Sequence, residues 1–243
     1  MKKTLFLGLF LAAAFFANSQ GNTLYRVDVV KPKAGMRASF ETSWKLHVDM
    51  FHKTTNKQTV YQIINGPDLG AYVIVQGPFS WASLDTVRSD AKAHGLDLDK
   101  LTTKSEEGSR NFILRWVDTL SRNTTVQADK FIVTTIVIKN GKTGEYLAEV
   151  RRTVLVQDKM NSPIGISRLT QQFAGSSPTL VVLRNLKDGF AELEGGPINP
   201  EFRRTYINEY GQDAWDSRLK ILVDNVLSST SNLQILRPDL SSK

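Results

Sequence analysis

The 243-residue chain contains no cysteine. Disulfide bonds and thiolate metal sites are therefore excluded, and so is a lipid anchor on an N-terminal cysteine. The fold must be stabilised by buried apolar surface, which a chain of this length can supply as one domain or as two of about 105 residues. From the sequence we predict no metal site.

The common catalytic motifs are missing as well. The sequence has no H-E-x-x-H, no P-loop, no G-x-S-x-G and no dinucleotide-binding glycine pattern. These absences exclude the commonest metalloprotease, nucleotide-binding and α/β-hydrolase interpretations. Only three histidines are present. The sequence alone leaves open whether the protein is an enzyme.

No hydrophobic run is long enough to span a bilayer. The longest, residues 5–16, has about 12 residues, whereas a transmembrane helix needs roughly 20. This run follows Lys2 and Lys3 and precedes the small residues 17–19, a pattern typical of an export signal cleaved near Ser19/Gln20. We expect a bacterial protein that is periplasmic or secreted, without stable membrane insertion.

Positive charge is not concentrated on any one segment. The formal net charge is +7, or +5 without the first two lysines. The richest basic spots, Arg151-Arg152 and Arg203-Arg204, are pairs of the kind that solvated helix faces carry. Because nucleic-acid binding usually needs a clustered basic face, we expect no nucleic-acid partner.

The chain does contain the same segment order twice. Residues 71–84 align with residues 180–193, and residues 115–127 resemble residues 221–234. The strands that open the two copies are also about 107 residues apart. A repeat of this length fits a small domain better than a solenoid unit. The predicted divisions are a signal peptide at residues 1–19 and two units at residues 20–128 and 129–243.

Periodicity assigns the elements of the first unit. Alternating apolar residues at 24–30 predict a strand, and apolar residues every three or four positions from Met36 to Phe51 predict an amphipathic helix. Residues 59–63 and 71–75 are predicted to pair around the turn NGPDLG. The unit is completed by helices at residues 79–94, ended by Gly95, and 111–120, and by a strand at residues 124–128.

The second unit repeats this order. Its predicted elements are a strand at 131–138, a helix around 146–155, paired strands at 164–173 and 179–184, helices at 201–210 and 214–227, and a strand at 232–237. This is the split βαβ order of ferredoxin-like folds. A sheet covered by helices on one face needs a partner on the other. We predict an α+β protein in which two tandem ferredoxin-like units pair their antiparallel sheets into one intramolecular barrel.

This element order, the duplication and the sequence PFSW at residues 78–81 resemble the dimeric α+β barrel superfamily over about residues 22–240. That superfamily includes cofactor-free monooxygenases of the antibiotic-biosynthesis kind, haem-degrading enzymes, and the NIPSNAP and EthD-like groups. No catalytic signature of the superfamily is present, so the resemblance implies the fold, and a reaction would be transferred by analogy alone. With both sheets in one chain, a monomer with a pseudo-dimeric barrel is expected.

The candidate site residues lie on the first predicted helix and at the start of the second. An apolar ligand pocket between helix and sheet could be lined by Phe40, Trp44, His47, Phe51 and Trp81. His47 is the catalytic candidate, because an imidazole on this face could act as a base or bind haem iron. The other two histidines, His52 and His94, are interpreted as helix-end residues.

Two functional hypotheses follow. The first is an exported binding or accessory module that holds a small apolar molecule and needs no cofactor. The alternative is a haem-binding or cofactor-free oxidative enzyme of the monooxygenase kind, centred on His47. Trp44 and His47 have no aromatic or histidine equivalents at residues 150–155 of the second unit, which for this alternative favours a site in the first unit.

Overall fold

The computed structural model describes residues 23–85, 90–105, 110–125, 127–175, 177–194 and 199–243. The predicted export signal lies outside these ranges. Within them, eight strands form one closed antiparallel barrel, accompanied by six α-helices. None of these helices is long and apolar enough to cross a membrane. The predicted α+β class and the closure of a barrel within one chain are confirmed.

The strands are β1 (Leu24–Val30), β2 (Gln58–Ile63), β3 (Tyr72–Phe79), β4 (Arg110–Trp116), β5 (Lys130–Ile138), β6 (Ile166–Gln172), β7 (Thr179–Asn185) and β8 (Val226–Leu236). The helices are α1 (Arg37–Phe51), α2 (Trp81–Leu84), α3 (Ala91–Thr102), α4 (Thr143–Lys159), α5 (Pro200–Tyr210) and α6 (Gln212–Asp224).

The strand order around the barrel is β1-β3-β2-β8-β5-β7-β6-β4. The first half contributes β4-β1-β3-β2 and the second contributes β8-β5-β7-β6, so the two halves follow the same order. They join where β2 pairs with β8 and where β4 pairs with β6. Closure leaves one inner surface, which both halves line.

Alternate strand residues fill the inside of the barrel. Val27, Val73, Leu114 and Leu169 are buried together there, one from each of four strands. The residues between them along each strand point outward and face the helices, because successive side chains of a strand point to opposite faces of the sheet. Ile74 of β3, for example, packs in a separate cluster that includes residues of α1. The strands therefore have one face that fills the barrel and one face on which the helices pack.

Helix α1 covers the first-half sheet with the face that its spacing predicts. Its buried residues are Phe40, Trp44, His47, Val48 and Phe51. Leu98 and Leu101 of α3 pack against the same cluster. Because residues three and four apart share one face of a helix, His47 is carried into this layer with its aromatic neighbours.

The helix predicted at residues 111–120 is wrong, because this segment contains strand β4. Phe112, Leu114 and Trp116 alternate into the barrel interior, and β4 pairs with β1 along nearly its whole length. Apolar residues lie on both faces of the segment, so its period is ambiguous in the sequence. The last strand of the first half is therefore β4. The strand predicted at residues 124–128 is also wrong for the residues that the structure describes there, 124, 125, 127 and 128; residue 126 lies outside the described residues.

The single helix predicted at residues 79–94 is wrong as well. Strand β3 continues through Phe79, α2 spans only four residues, and α3 begins at Ala91. Gly95 lies inside α3 rather than at a helix end. As a result, His94 lies in the first turn of a helix and not in the last.

The elements of the second half agree with the predictions, apart from their ends. Helix α6 ends at Asp224, and β8 begins at Val226, six residues before the predicted strand. The longer β8 pairs with β5 from Lys130 to Ile138. Its C-terminal part then reaches β2, which carries the chain across to the first half.

The C-terminal tail continues from β8 onto the first half. Leu240 is 3% exposed and belongs to the cluster under α1. Its carbonyl accepts a hydrogen bond from Trp44 Nε1 at 3.2 Å. The hydroxyls of Ser241 and Ser242 accept from the backbone N–H groups of Val60 and Gln58. The tail therefore fastens the end of the second half to the first.

Replacing Leu240 with alanine should lower the free energy of unfolding by about 2–4 kcal/mol, because the truncated side chain leaves a cavity in a packed cluster. Urea denaturation followed by circular dichroism measures the loss. Lys243→Ala, at an exposed position in the same tail, should change stability by less than about 0.5 kcal/mol. Equal stability of the two variants would show that the tail does not fasten the fold.

Candidate metal centre

All three histidines of the chain meet between α1 and α3. His47 lies on the buried face of α1, His52 caps its C-terminal end, and His94 lies in the first turn of α3. His52 Nε2 is 3.3 Å from His47 Nε2 and 3.1 Å from His94 Nε2. One ring nitrogen from each residue lies within 4.8 Å of the other two. We call this group the histidine cluster.

The end of α1 explains how His52 can face His47. In a continuous helix, residues five apart are separated by about 140° around the axis. Helix α1 stops at Phe51, and the chain turns back so that Asn56 takes a left-handed conformation with φ of 49°. The Asn56 carbonyl oxygen then lies 2.9 Å from His52 Nδ1. The turn thus orients the His52 ring.

In two of the three rings, the nitrogen that points away from the cluster faces a hydrogen-bond acceptor. His47 Nδ1 is 2.8 Å from Asp97 Oδ2, and His52 Nδ1 is bound to the Asn56 carbonyl. A carboxylate and a carbonyl can only accept, so both Nδ1 atoms donate. A neutral imidazole has a single N–H. The Nε2 atoms of His47 and His52 therefore present lone pairs to each other.

Two buried lone pairs that face each other repel, and a positive charge between them is needed to offset that repulsion. His47 is 0% exposed and His52 is 1% exposed, so water cannot solvate these nitrogens freely. A single proton can lie between only two of the three nitrogens. A metal ion can accept all three, and imidazole is the ligand type that Zn²⁺, copper, iron and nickel bind. The donor set therefore fits a bare transition-metal ion.

Two of the three distances between the ring nitrogens also fit. Zinc binds histidine nitrogen at 2.0–2.1 Å in a tetrahedral arrangement, which places neighbouring nitrogens about 3.3 Å apart. The two measured Nε2 separations are 3.3 and 3.1 Å. Metal-bound histidines characteristically donate their other N–H to a carboxylate or a backbone carbonyl. Asp97 and Asn56 supply one acceptor of each kind.

The structure separates the residues that the sequence offered as an apolar pocket. Phe40 and Trp44 stack on each other, with centroids 6.1 Å apart. The rings of Trp44 and Phe51 contact His47, at 5.3 and 5.1 Å. Trp81 instead contacts the exposed Phe173, with ring centroids 5.7 Å apart. Phe40, Trp44 and Phe51 thus lie together with His47, two of them in contact with its ring, and Trp81 contacts a different residue.

Haem, the cofactor of the alternative hypothesis, does not fit at His47. An axial histidine needs space for a porphyrin beside its free nitrogen. His47 Nε2 faces His52 Nε2 at 3.3 Å, and the His94 ring lies 4.8 Å from the His47 ring. A macrocycle on this nitrogen would displace both neighbours. The residues present suit an ion and not a flat cofactor.

The sequence offers His47 as a candidate but not its partners. It predicts His52 and His94 to be helix-end residues and assigns no role to Asp97. The prediction of no metal site rested on missing thiolates and motifs, whereas this donor set is built from imidazoles that lie up to 47 positions apart. The feature of the sequence that could have indicated the site is that its three histidines all lie within or at the ends of the first two predicted helices.

Asp97→Asn should weaken metal binding about 10- to 100-fold. The charged carboxylate of Asp97 accepts the hydrogen bond from His47 Nδ1–H and makes the ring more basic, and the substitution removes that charge. Competition with a chromogenic chelator measures the change in affinity. The matched control is Asp49→Asn, the same substitution at an exposed position on α1, which should leave affinity unchanged. Equal affinities for the two variants would remove Asp97 from the site.

The second half has a charged cluster in the corresponding layer. Glu149 of α4 is 1% exposed, and Tyr206 Oη lies 2.8 and 2.7 Å from its two carboxylate oxygens. Arg218 Nε lies 3.3 Å from the same carboxylate. Burial, together with the hydrogen bond to Glu149, raises the pKa of Tyr206 to about 12. These groups neutralise one another and serve packing.

Comparison with known proteins gives the fold alone. No protein-family model matches the chain, and no curated protein does. Solved structures do match over nearly its full length. One is an anthrone oxidase-like protein, with 9% identity and a TM-score of 0.57, covering 90% of this chain and 92% of the other.

Two further structures show the same likeness. A candidate monooxygenase from Lactobacillus acidophilus has 9% identity and a TM-score of 0.55, covering 92% of this chain and 97% of its own. A chlorite dismutase variant from Candidatus Nitrospira defluvii has 7% identity and a TM-score of 0.55, covering 90% and 93%. The chain shares the dimeric α+β barrel fold with these proteins.

Proposed function

We propose that this protein binds one divalent transition-metal ion, with Zn²⁺ as the first choice, through His47, His52 and His94. The observation that carries the proposal is the meeting of three imidazole nitrogens whose outer partners leave two lone pairs facing inward. Asp97 and the Asn56 carbonyl hold the rings in this orientation. The barrel and α1 provide a rigid base for two of the three ligands.

The composition of the site suits the compartment that we predict. If the chain is exported to the periplasm or beyond, it enters an oxidising environment in which thiol ligands are prone to oxidation. An imidazole-only donor set has no thiol to lose. The metal site and the predicted export signal are therefore compatible, and both belong to this proposal.

The ion is favoured over the two ligands of the sequence-based hypotheses. Phe40 and Trp44 stack within a core cluster and are 1% and 5% exposed, so these rings serve packing rather than an apolar ligand. Haem at His47 would displace the other histidines. An oxidative activity of the monooxygenase kind is supported by the shared fold only.

We further propose that the two halves arose by tandem duplication and meet at about residue 128. The identical strand order of the halves supports this. An intramolecular barrel of this kind favours a monomer. Relationship to the NIPSNAP, EthD-like or antibiotic-biosynthesis groups in particular stays a prediction.

Isothermal titration of the metal-free mature protein with Zn²⁺ tests the proposal. We expect a single saturable binding event with one ion per chain. Haemin, added in a parallel titration, should give no Soret band that depends on His47. Absence of saturable Zn²⁺ binding, or a His47-dependent Soret band, would overturn the proposal.

A further inference from the structure

We infer that the metal ion of the histidine cluster keeps one coordination position open for a small monoanion or water, and is therefore a Lewis-acid centre rather than a structural clamp. This inference rests on the proposed metal binding. It concerns the fourth ligand, the charge of the site and the direction from which a ligand can arrive.

The first argument is the number of donors. Structural zinc sites are closed by four protein ligands, whereas catalytic zinc sites have three and leave the fourth position to water or substrate. Among the residues that the structure describes, the donor group has three members, all histidines. The carboxylate of Asp97 is bound to His47 Nδ1. It therefore acts on a ligand and not on the ion.

The second argument is charge. Three neutral imidazoles leave a divalent ion with its full charge of +2. Asp97 offsets one unit, and Lys100, 3.8 Å from Asp97 but 77% exposed, adds little in solvent. A buried site with one net positive charge is costly unless it is neutralised. A single monoanion on the fourth position, hydroxide included, would complete the balance.

The third argument is access. His47 and His52 are almost fully buried, whereas His94 is half-buried. The solvent side of the cluster is therefore the His94 side. Phe51 lies against both His47 and His94, with ring centroids 5.1 and 5.2 Å away. This apolar wall disfavours a large polar ligand.

Together these features describe the chemistry of the site. An ion with three histidine ligands and one exchangeable position can polarise a bound water or the carbonyl oxygen of a substrate. The apolar wall strengthens such electrostatic effects, because they grow as the local dielectric constant falls. The class of ligand that the position takes is a small monoanion or an oxygen donor of similar size.

Azide binding to the Co²⁺-loaded mature protein tests the open position. The visible absorption bands of Co²⁺ report its coordination. We expect one Co²⁺ per chain and a saturable shift of these bands with azide, with one azide per ion. Asp97→Asn, loaded with excess Co²⁺, should bind azide more tightly, because the site then carries one more positive charge.

The outcomes separate the two proposals. Failure of Co²⁺ and Zn²⁺ to bind would overturn the metal site itself. One Co²⁺ per chain with bands that azide does not shift, at any concentration that leaves the far-ultraviolet circular dichroism unchanged, would overturn the open position and leave the metal site standing. Equal azide affinity of wild-type protein and Asp97→Asn would contradict the charge argument.

Discussion

Replacing His94 with alanine should reduce Zn²⁺ affinity at least about 100-fold while the barrel stays folded. Structural zinc binding is worth about 10–16 kcal/mol over four ligands, so one histidine contributes roughly 3 kcal/mol or more. His94 is the half-buried member of the cluster, and its side chain is not part of the described core clusters. Its removal therefore acts on the ion more than on the fold. Competition with a chromogenic chelator measures the affinity.

Lys92→Ala is the matched control for this variant. Lys92 lies two residues earlier in α3 and is exposed, so the control keeps the helix and all three histidines. Both variants should unfold at similar temperatures without metal. With saturating Zn²⁺, the wild type and Lys92→Ala should gain thermal stability, because a ligand that binds only the folded state stabilises it. A His94→Ala protein with wild-type affinity would exclude His94 as a ligand.

Arg218→Ala should lower the free energy of unfolding by about 3–5 kcal/mol, because the buried Glu149 carboxylate then keeps only one of the two arginines that lie within 4 Å of it, Arg152 at 3.5 Å. Arg218 also lies over the rings of Phe202 and Trp215, at 5.2 and 5.7 Å, and these contacts disappear with it. For a protein of this size the melting temperature should fall by about 10 °C. Differential scanning calorimetry measures the shift.

Lys220→Ala, an exposed position on the same helix, should leave the melting temperature unchanged. Arg218→Ala should also leave Zn²⁺ affinity unchanged, since every histidine lies in the first half. If Arg218→Ala melts like Lys220→Ala, the Glu149 cluster does not stabilise the fold. If it loses Zn²⁺ binding while folded, the Glu149 cluster supports the histidine cluster as well as the fold, contrary to this prediction.

Local pattern was sufficient for the regular elements. Strand β1 and helix α1 were predicted because Val27 and its neighbours alternate in polarity and because Phe40, Trp44 and Phe51 recur at helical spacing. In β1 the polar Arg26 and Asp28 separate Tyr25, Val27 and Val29, and in α1 only one face is buried, so both periods are visible in the sequence. Strand β4 was missed for the opposite reason. Its two faces both carry apolar residues, one toward the barrel interior and one toward the helices.

The candidate site depended on a boundary that the sequence did not show. His94 was predicted to end a helix because Gly95 follows it, and glycine commonly stops helices. In the structure the helix starts just before His94 and runs through Gly95. Only that placement brings His94 and Asp97, three residues apart, to the same face of α3. The meeting with His47 is a tertiary contact that no short motif records.

Closure of the barrel could be predicted because it solves a burial problem. Each half exposes an apolar sheet face that the other half covers. The metal site could not be predicted in this way, since bringing three histidine side chains together gains no free energy from the burial of apolar surface. What identifies it is the polar partners of the His47 and His52 rings. One of them, the Asn56 carbonyl, is positioned by a left-handed turn that the sequence does not reveal.

The most direct test of the account is an anomalous-difference map from crystals of Zn²⁺-loaded protein, with data collected on both sides of the zinc absorption edge. We predict one strong peak among the Nε2 atoms of His47, His52 and His94, about 2.0–2.1 Å from each. A map without a peak there, or with zinc bound only at surface side chains, would contradict the central claim.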